Sequence, residues 1–422
     1  MPVLDVCVVG AGAAGIVAAR ELVRAALGVR VFEARGRVGG RAWTDHGPFG
    51  VPIDRGCAWL HNAPDNPWTA YARERGFAIV ERSPDWQRYI GRATLSPERR
   101  RRWDAAWQRA EDAITATARA GRDVPVSMVL PADLEFRTLF DASMSWAMGV
   151  DPDALSTLDY ATYQDTDVNW AVPDGLGTVV ARAAEGLDVV LGCPVIEIDW
   201  SGDAVRVTTG QGTLECRAVV VTVPTTVLAR GTPRFSPALP GAYEEAVHGL
   251  TLGVANKVFV ELAPGAIPLE GTVHLVAGET TSRTASVTVR PAGHELVQVF
   301  FGGAYARELE ERSALESTAC DELAGLFGND LRDKILRTTA TAWFGDPSAR
   351  GSYSAARPGF ARCRTILGEP IADRVFFAGE ACPPTMYGSI HGAWASGVEA
   401  ARGVRAALGR LGATRSGTGF AR

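Results

Sequence analysis

Residues Gly10-Ala11-Gly12-Ala13-Ala14-Gly15 constrain this chain more than any other stretch. They follow Leu4-Asp5-Val6-Cys7-Val8-Val9, a near-continuous apolar run of the kind a buried parallel strand shows. A helical pattern from Ile16 to Leu27 comes next and stops at Gly28. Val29-Arg30-Val31-Phe32 then reads as a second strand, closed by Glu33. Strand, glycine turn, helix, strand and acid together form a dinucleotide fingerprint. The first glycine permits the tight turn, the second lets a pyrophosphate approach the backbone, and the third packs helix on strand. The helix N-terminus faces the negative charge. Glu33 stands at the spacing of the acid that binds a ribose hydroxyl. Gly10, Gly12, Ala13, Ala14, Gly15 and Glu33 are therefore cofactor-binding candidates. The motif alone does not choose between NAD and FAD.

The following residues choose. Arg37-Val38-Gly39-Gly40-Arg41 places two glycines and two arginines after the acid. Glycine lets backbone approach closely, and arginine matches pyrophosphate oxygens with a two-pronged fork. Gly10 to Arg41 resembles the N-terminus of the flavin-containing amine oxidase family, which includes monoamine oxidases, polyamine oxidases and lysine-specific histone demethylases. Gly56-Cys57-Ala58-Trp59-Leu60-His61, with Asn66-Pro67 after it, is similar to the G-A-x-W-x-H stretch of that family. Near the other end, Trp343 precedes Gly351-Ser352-Tyr353-Ser354, and Val375-Phe376-Phe377-Ala378-Gly379-Glu380 is a strand ending in Gly-Glu. Tyr387-Gly388-Ser389-Ile390-His391-Gly392-Ala393 then opens a helix expected to reach about Leu408. The resemblance implies FAD as cofactor. It adds Ala34, Arg35, Gly39, Gly40, Arg41, Ala58, Trp59, Val195, Trp343, Gly379, Glu380, Ser389 and Ile390 to the cofactor contacts, and implies substrate contacts at Trp59, His61, Tyr353 and Ser389. Monoamine oxidases carry a flavin-linked cysteine where this chain has Ser352. Serine cannot form that thioether, so the FAD is expected to be non-covalent. They also hold the amine between two aromatics, of which only Tyr353 has a counterpart here, because Ser389 stands at the second position. A one-sided cage suits a larger or secondary amine.

Only two of the 43 basic residues are lysines, Lys257 and Lys334. Lys257 lies in Val254-Ala255-Asn256-Lys257-Val258-Phe259-Val260-Glu261-Leu262, a stretch whose β-branched and aromatic content reads as a strand. An ammonium there is costly unless paired, and shifts its pKa readily, as catalytic lysines do. The resemblance gives Lys257 the role of holding a water against flavin N5. Asp165 and Asp167 are candidates for a second cationic group of the substrate, and the run Arg99 to Arg102 reads as a solvated helix face.

At 422 residues the chain has room for two or three domains. The resemblance implies an α/β FAD-binding domain of Rossmann type from residues 1–75, 186–235 and 340–410. It is interleaved with an α+β substrate domain from 76–185 and 236–339. The first domain's return is expected as a meander of Leu187 to Leu191, Val195 to Trp200, Ala204 to Thr209 and Ala218 to Val223, and the second domain's as a segment with a long helix from Ala306 to Leu326. Residues 411–422, rich in Gly, Ser, Thr and Arg, are expected to be a disordered tail. A net charge of −5 gives no reason to propose nucleic-acid binding, and no stretch approaches the roughly 20 apolar residues of a membrane span. Seven scattered cysteines, never in C-x-x-C spacing, suit reduced thiols and a cytoplasmic location. The reading favoured is a polyamine-oxidase-like enzyme: hydride transfer from an amine α-carbon to flavin N5, imine hydrolysis, and reoxidation by O2 to hydrogen peroxide. An L-amino-acid oxidase or biosynthetic amine oxidase, and a flavoprotein scaffold without turnover, stay open as alternatives. No tower-like insertion supports histone demethylation, and the resemblance allows a homodimer.

Overall fold

The computed structural model describes residues 4–86, 89–91 and 93–417. Two large sheets organise it, each built from stretches far apart in sequence. In the first, Gly212–Val221 pairs in parallel with Leu4–Val9, which pairs in parallel with Val29–Phe32. On its other edge, Gly212–Val221 meets Val205–Thr209 with its first half and Val375–Phe377 with its second. These strands are apolar on both faces because both are covered. One face packs on the first helix, Ala13–Arg24, and the last helix, Ile390–Gly417. The two helices cross closely: a Cβ on Gly397 would come within 2.5 Å of the Ala14 carbonyl oxygen. The other face packs on Gly241–Gly249, through Tyr243, Ala246 and Val247.

The second sheet runs Ile335–Ala340, Ala255–Leu262, Val297–Gly302, Ser286–Val289, Val273–Val276, Tyr89–Ile90, Ala93–Thr94. The lysine strand Ala255–Leu262 lies inside it, antiparallel to both neighbours, with Lys257 opposite Phe300. Val258 and Val260 enter the core on one face, while Phe259 meets Ile53 and Leu296 on the other. Among the described residues no helix is long and apolar enough to cross a membrane.

Four local expectations are corrected. The first helix starts at Ala13 and ends at Arg24, three residues earlier at each end than the pattern from Ile16 to Leu27 suggests. Ala13 and Ala14 are strong helix formers, and Ala26 at φ 59° closes the end. The meander has three strands, because Val189–Val190 pairs instead with Val31 and Phe32 at the far edge of the sheet. The long helix is two, Gly303–Glu311 and Leu315–Phe327, broken at Ser313 with φ 54°. On one helix Leu309 and Leu315 would point away from each other, six residues being about 240° apart. The break lets both enter the same core. The last helix continues past Leu408 to Gly417, so the tail expected over 411–422 is helical to 417, where Leu411 and Ala413 favour helix. Residues 418–422 lie outside the described residues.

Candidate active site

The carboxyl ends of the parallel strands open onto a narrow cavity lined by Arg41, Thr222, Gly379 and Glu380. Ligands of open α/β sheets bind outside such strand ends. The glycine turn forms one wall. Gly10 has φ +104°, and a Cβ there would meet Thr222 Oγ1 at 2.5 Å. A Cβ on Gly15 would lie 2.0 Å from the Gly10 carbonyl oxygen. Gly12 differs, since nothing lies within 4 Å of its Cβ position. It is also the N-cap of the first helix and offers no side-chain hydrogen bond, so no side chain caps that helix end. Glu33 is buried, accepting from the Ala11 and Arg35 amides through its two carboxylate oxygens. Gly192 and Cys193, just before Val195, donate to the carbonyls of Arg35 and Glu33. These bonds bring Glu33 and the segment before Val195 beside the glycine turn.

The Arg35 guanidinium makes a two-pronged pair with Asp346 at 2.6 and 2.8 Å. Gly39 and Gly40 turn beside Gly12 and bring up Arg41. The Arg41 guanidinium donates to the Ser352 carbonyl and pairs with Glu380 at 2.7 Å. Glu380 also accepts from Ser354 and the Gly388 amide. Burial alone would raise the Glu380 carboxyl, but Arg41, Ser354 and Arg364 hold it below its ordinary value. Behind it lies a pair the sequence reading missed. Arg364 and Asp159 are both buried, joined by two hydrogen bonds, with the Arg364 guanidinium 3.6 Å from the Tyr387 ring centroid. No local signal marked Arg364 among so many arginines.

Lys257 is 7% exposed. Its Nζ donates to the carbonyls of Asp54 (2.8 Å) and Gly56 (2.6 Å). Burial lowers its pKa, opposed by Asp54 and Cys57. A neutral amine has two N–H bonds and one lone pair. Two carbonyls therefore satisfy the neutral form and leave the lone pair for a third partner, while the ammonium keeps a spare N–H. Either form can hold one water. A side chain on Gly56 would not fit, since its Cβ position is 1.6 Å from the Arg41 carbonyl oxygen and 3.5 Å from the Trp343 ring. Trp343 is buried, donating through Nε1 to the Arg55 carbonyl. Ser352 Oγ bonds both backbone groups of Ala255 at 2.8 Å, which ties the Tyr353 segment to the lysine strand.

Tyr353 donates its hydroxyl to the Trp146 carbonyl, and burial raises its pKa, helped by Tyr163. Ala58 leads into Trp59, whose two-residue strand pairs with Trp170–Ala171. The Trp59 ring lies 5.1 Å from Trp86 and 5.9 Å from His274. His61 donates through Nδ1 to Asn169 Oδ1 at 2.6 Å. Burial lowers its pKa, with Asp165 and Asn169 opposing. The Ser389 hydroxyl donates to Met386 O and accepts from the Gly392 amide, which caps the last helix. Ile390 opens that helix, its carbonyl held by Trp68. Asp165 and Asp167 are exposed, and the Asp165 charge acts on His61.

A family described as flavin containing amine oxidoreductase matches residues 13–124 and 131–405. The chain belongs to this family. It is 28% identical to polyamine oxidase 4 of Oryza sativa subsp. japonica, over 94% of this chain and 88% of that one. It is 26% identical to human lysine-specific histone demethylase 2, over 95% of this chain but 53% of that one. The solved cyclohexylamine oxidase from Brevibacterium oxydans shares its fold, with a TM-score of 0.79 at 21% identity over 97% and 100% of the two chains. As an amine oxidoreductase of this family the chain uses FAD, and its residues fit that group. Gly12 and the uncapped helix end suit a pyrophosphate, and Glu33 suits a ribose. Arg41 and Glu380 line the strand-end cavity. Ser352 offers no thiol for a covalent link.

Proposed function

We propose that the protein is a polyamine-oxidase-like enzyme that oxidises a carbon next to nitrogen in an aliphatic amine. FAD, when bound, supplies the two-electron acceptor for that C–H bond. The observation that carries the reading is Lys257, buried and fixed by the Asp54 and Gly56 carbonyls beside Trp343. Such a group orients one water and changes its proton affinity without leaving its place. Tyr353 gives the amine one aromatic wall. His61 presents a nitrogen, and the exposed Asp165 and Asp167 set negative charge at the rim, which suits a substrate with a second cationic group. The likeness to a rice polyamine oxidase supports the same substrate class. An amino-acid carboxylate would need a free guanidinium, and the arginines described at this site are engaged, Arg35 by Asp346, Arg41 by Glu380 and Arg364 by Asp159. Water then hydrolyses the imine product, and O2 is the proposed final acceptor.

Anaerobic mixing of the purified holoprotein with putrescine, spermidine, spermine, N-acetylated polyamines, cyclohexylamine and L-amino acids tests this reading. The expected result is rapid bleaching of the flavin band by polyamines, reversed by air with peroxide release. Bleaching by L-amino acids alone overturns the substrate class, and bleaching by no amine overturns the enzyme reading.

A further inference from the structure

Lys257 and Trp343 take their places from one short strip of backbone. The Asp54 and Gly56 carbonyls accept from Lys257 Nζ at 2.8 and 2.6 Å, and the Arg55 carbonyl between them accepts from Trp343 Nε1 at 3.1 Å. A strip that fixes two other side chains has to be fixed itself. Backbone pairing supplies part of this, since Thr44–Asp45 pairs with Ile53–Asp54 and the Arg55 amide donates to the Trp43 carbonyl. That pairing ends before Gly56.

The side chains of Asp54 and Arg55 supply the rest, although neither is a hydrogen-bond partner of Lys257 Nζ among the described residues. One Asp54 carboxylate oxygen accepts from the Leu176 amide at 2.9 Å. The other accepts from the Gly177 amide at 3.2 Å and from the Thr44 hydroxyl at 2.6 Å. These amides open the helix Leu176–Arg182, where the first N–H groups need acceptors from outside the helix. Arg55 reaches the second sheet instead. Its guanidinium pairs with Asp45 at 2.7 Å and donates to the Ala340 carbonyl and the Thr339 hydroxyl, both at 3.0 Å. Thr339 and Ala340 lie opposite Phe259 and Val258, the residues that follow Lys257 on its own strand. The strip is therefore tied at Asp54 to a helix end and at Arg55 to the strand beside the lysine strand.

We infer that Asp54 and Arg55 are positioning residues, whose side chains hold the carbonyls of residues 54–56 in place and through them Lys257 Nζ. Groups that act on a reacting centre have to be held within about 0.5 Å, and a misplacement of about 1 Å costs about 100-fold in rate. Two carbonyls on a loose strip would leave the Lys257 side chain bonded but badly placed. The inference deepens the proposed function, because its kinetic part rests on the role given there to Lys257.

The variants are Asp54→Asn and Arg55→Lys. Asparagine has one acceptor oxygen in place of two, so at least one of the three donors on Asp54 loses its acceptor. Lysine keeps a charge for Asp45 but gives up the planar fork that also spans Thr339 and Ala340. The first readout needs no turnover. The chain has only two lysines, and Lys334 is exposed, so carbon-13 labelling of the lysine ε-carbons gives two signals that are told apart by exposure. In the wild-type holoprotein a fixed Lys257 is expected to show two separate ε-proton shifts. Each variant is expected to merge them and leave Lys334 unchanged. An unchanged Lys257 signal in both variants overturns the inference. The second readout is a double-mutant cycle with a bleaching amine. Asp54→Asn is expected to slow the half-reaction that Lys257→Met slows, by about 10- to 100-fold, with KM little changed. Added to Lys257→Met it is expected to do much less, because the group it positions is gone. Effects that multiply in full overturn positioning and leave Asp54 a helix cap alone. Bleaching by no amine overturns the proposed function, while merged Lys257 signals in the variants would still support the inference.

Discussion

Replacing Gly12 by Val separates the cofactor cradle from the fold. Gly12 has φ −77° and ψ −179°, an extended conformation any residue adopts, and open space surrounds its Cβ position. The apoprotein should melt within about 2 °C of wild type, since substitutions without clash or strain change stability by about 0.5 kcal/mol or less. The same side chain fills the space over the helix N-terminus. Losing two charge-assisted hydrogen bonds to a pyrophosphate costs about 1.5–3 kcal/mol each. At about 1.4 kcal/mol per decade, FAD affinity falls roughly 10²- to 10⁴-fold. The neighbouring glycines provide the contrast. Gly15→Ala drives a Cβ to 2.0 Å from a backbone oxygen and costs the fold about 1–3 kcal/mol of overpacking, and Gly10→Ala adds strain of similar size at φ +104°. Those two should lower the apoprotein melting temperature by several degrees. The assays are apoprotein melting and quenching of FAD fluorescence on titration. A Gly12→Val protein that binds FAD within about threefold of wild type would refute the cradle argument.

Lys257→Met keeps the side-chain volume but strips the donors from the Asp54 and Gly56 carbonyls, at about 1–3 kcal/mol each if water does not replace them. Melting temperature and at least one half-reaction rate should fall, and wild-type rates in both half-reactions would remove the assigned role. His274, beside Trp59 and Trp86, has its pKa lowered to about 4, by burial first and Arg82 second. Its unfolded value is about 6.5. Between these values the unfolded chain binds a proton that the folded protein refuses, so stability falls as pH drops from 6.5 toward 4, by up to about 3 kcal/mol. Urea unfolding across this range should show a flatter acid limb in His274→Gln, and an unchanged limb would count against the assignment.

Short-range pattern made much of the fold legible. Leu4–Val9 and Val29–Phe32 match the apolar runs residue for residue, and Lys257 lies within a buried strand. Contacts made only in three dimensions stayed hidden. Val189–Val190 is too short to carry a register signal, so nothing local told it to cross to the far edge. The break at Ser313 follows from what Leu309 and Leu315 must face, which the sequence does not display. Arg364 and Asp159 stand 205 positions apart, on the helices Cys363–Gly368 and Thr157–Thr162, and meet only in the folded chain. Ser389 lay inside a recognised motif, but that its hydroxyl caps the last helix depends on where Met386 and Gly392 point.

The strand order of the first sheet also bears on how the protein is made. Leu4–Val9 and the glycine turn leave the ribosome before Val375–Phe377 and the helix that packs on Ala13–Arg24. Glu380, the partner of Arg41, arrives with the later elements. A nascent chain therefore carries its nucleotide-binding loop without that wall of the pocket until the later stretch is made. Cofactor capture by the full pocket waits for it, and a ribosome that stalls before Phe377 leaves Gly212–Val221 without one of its strand partners.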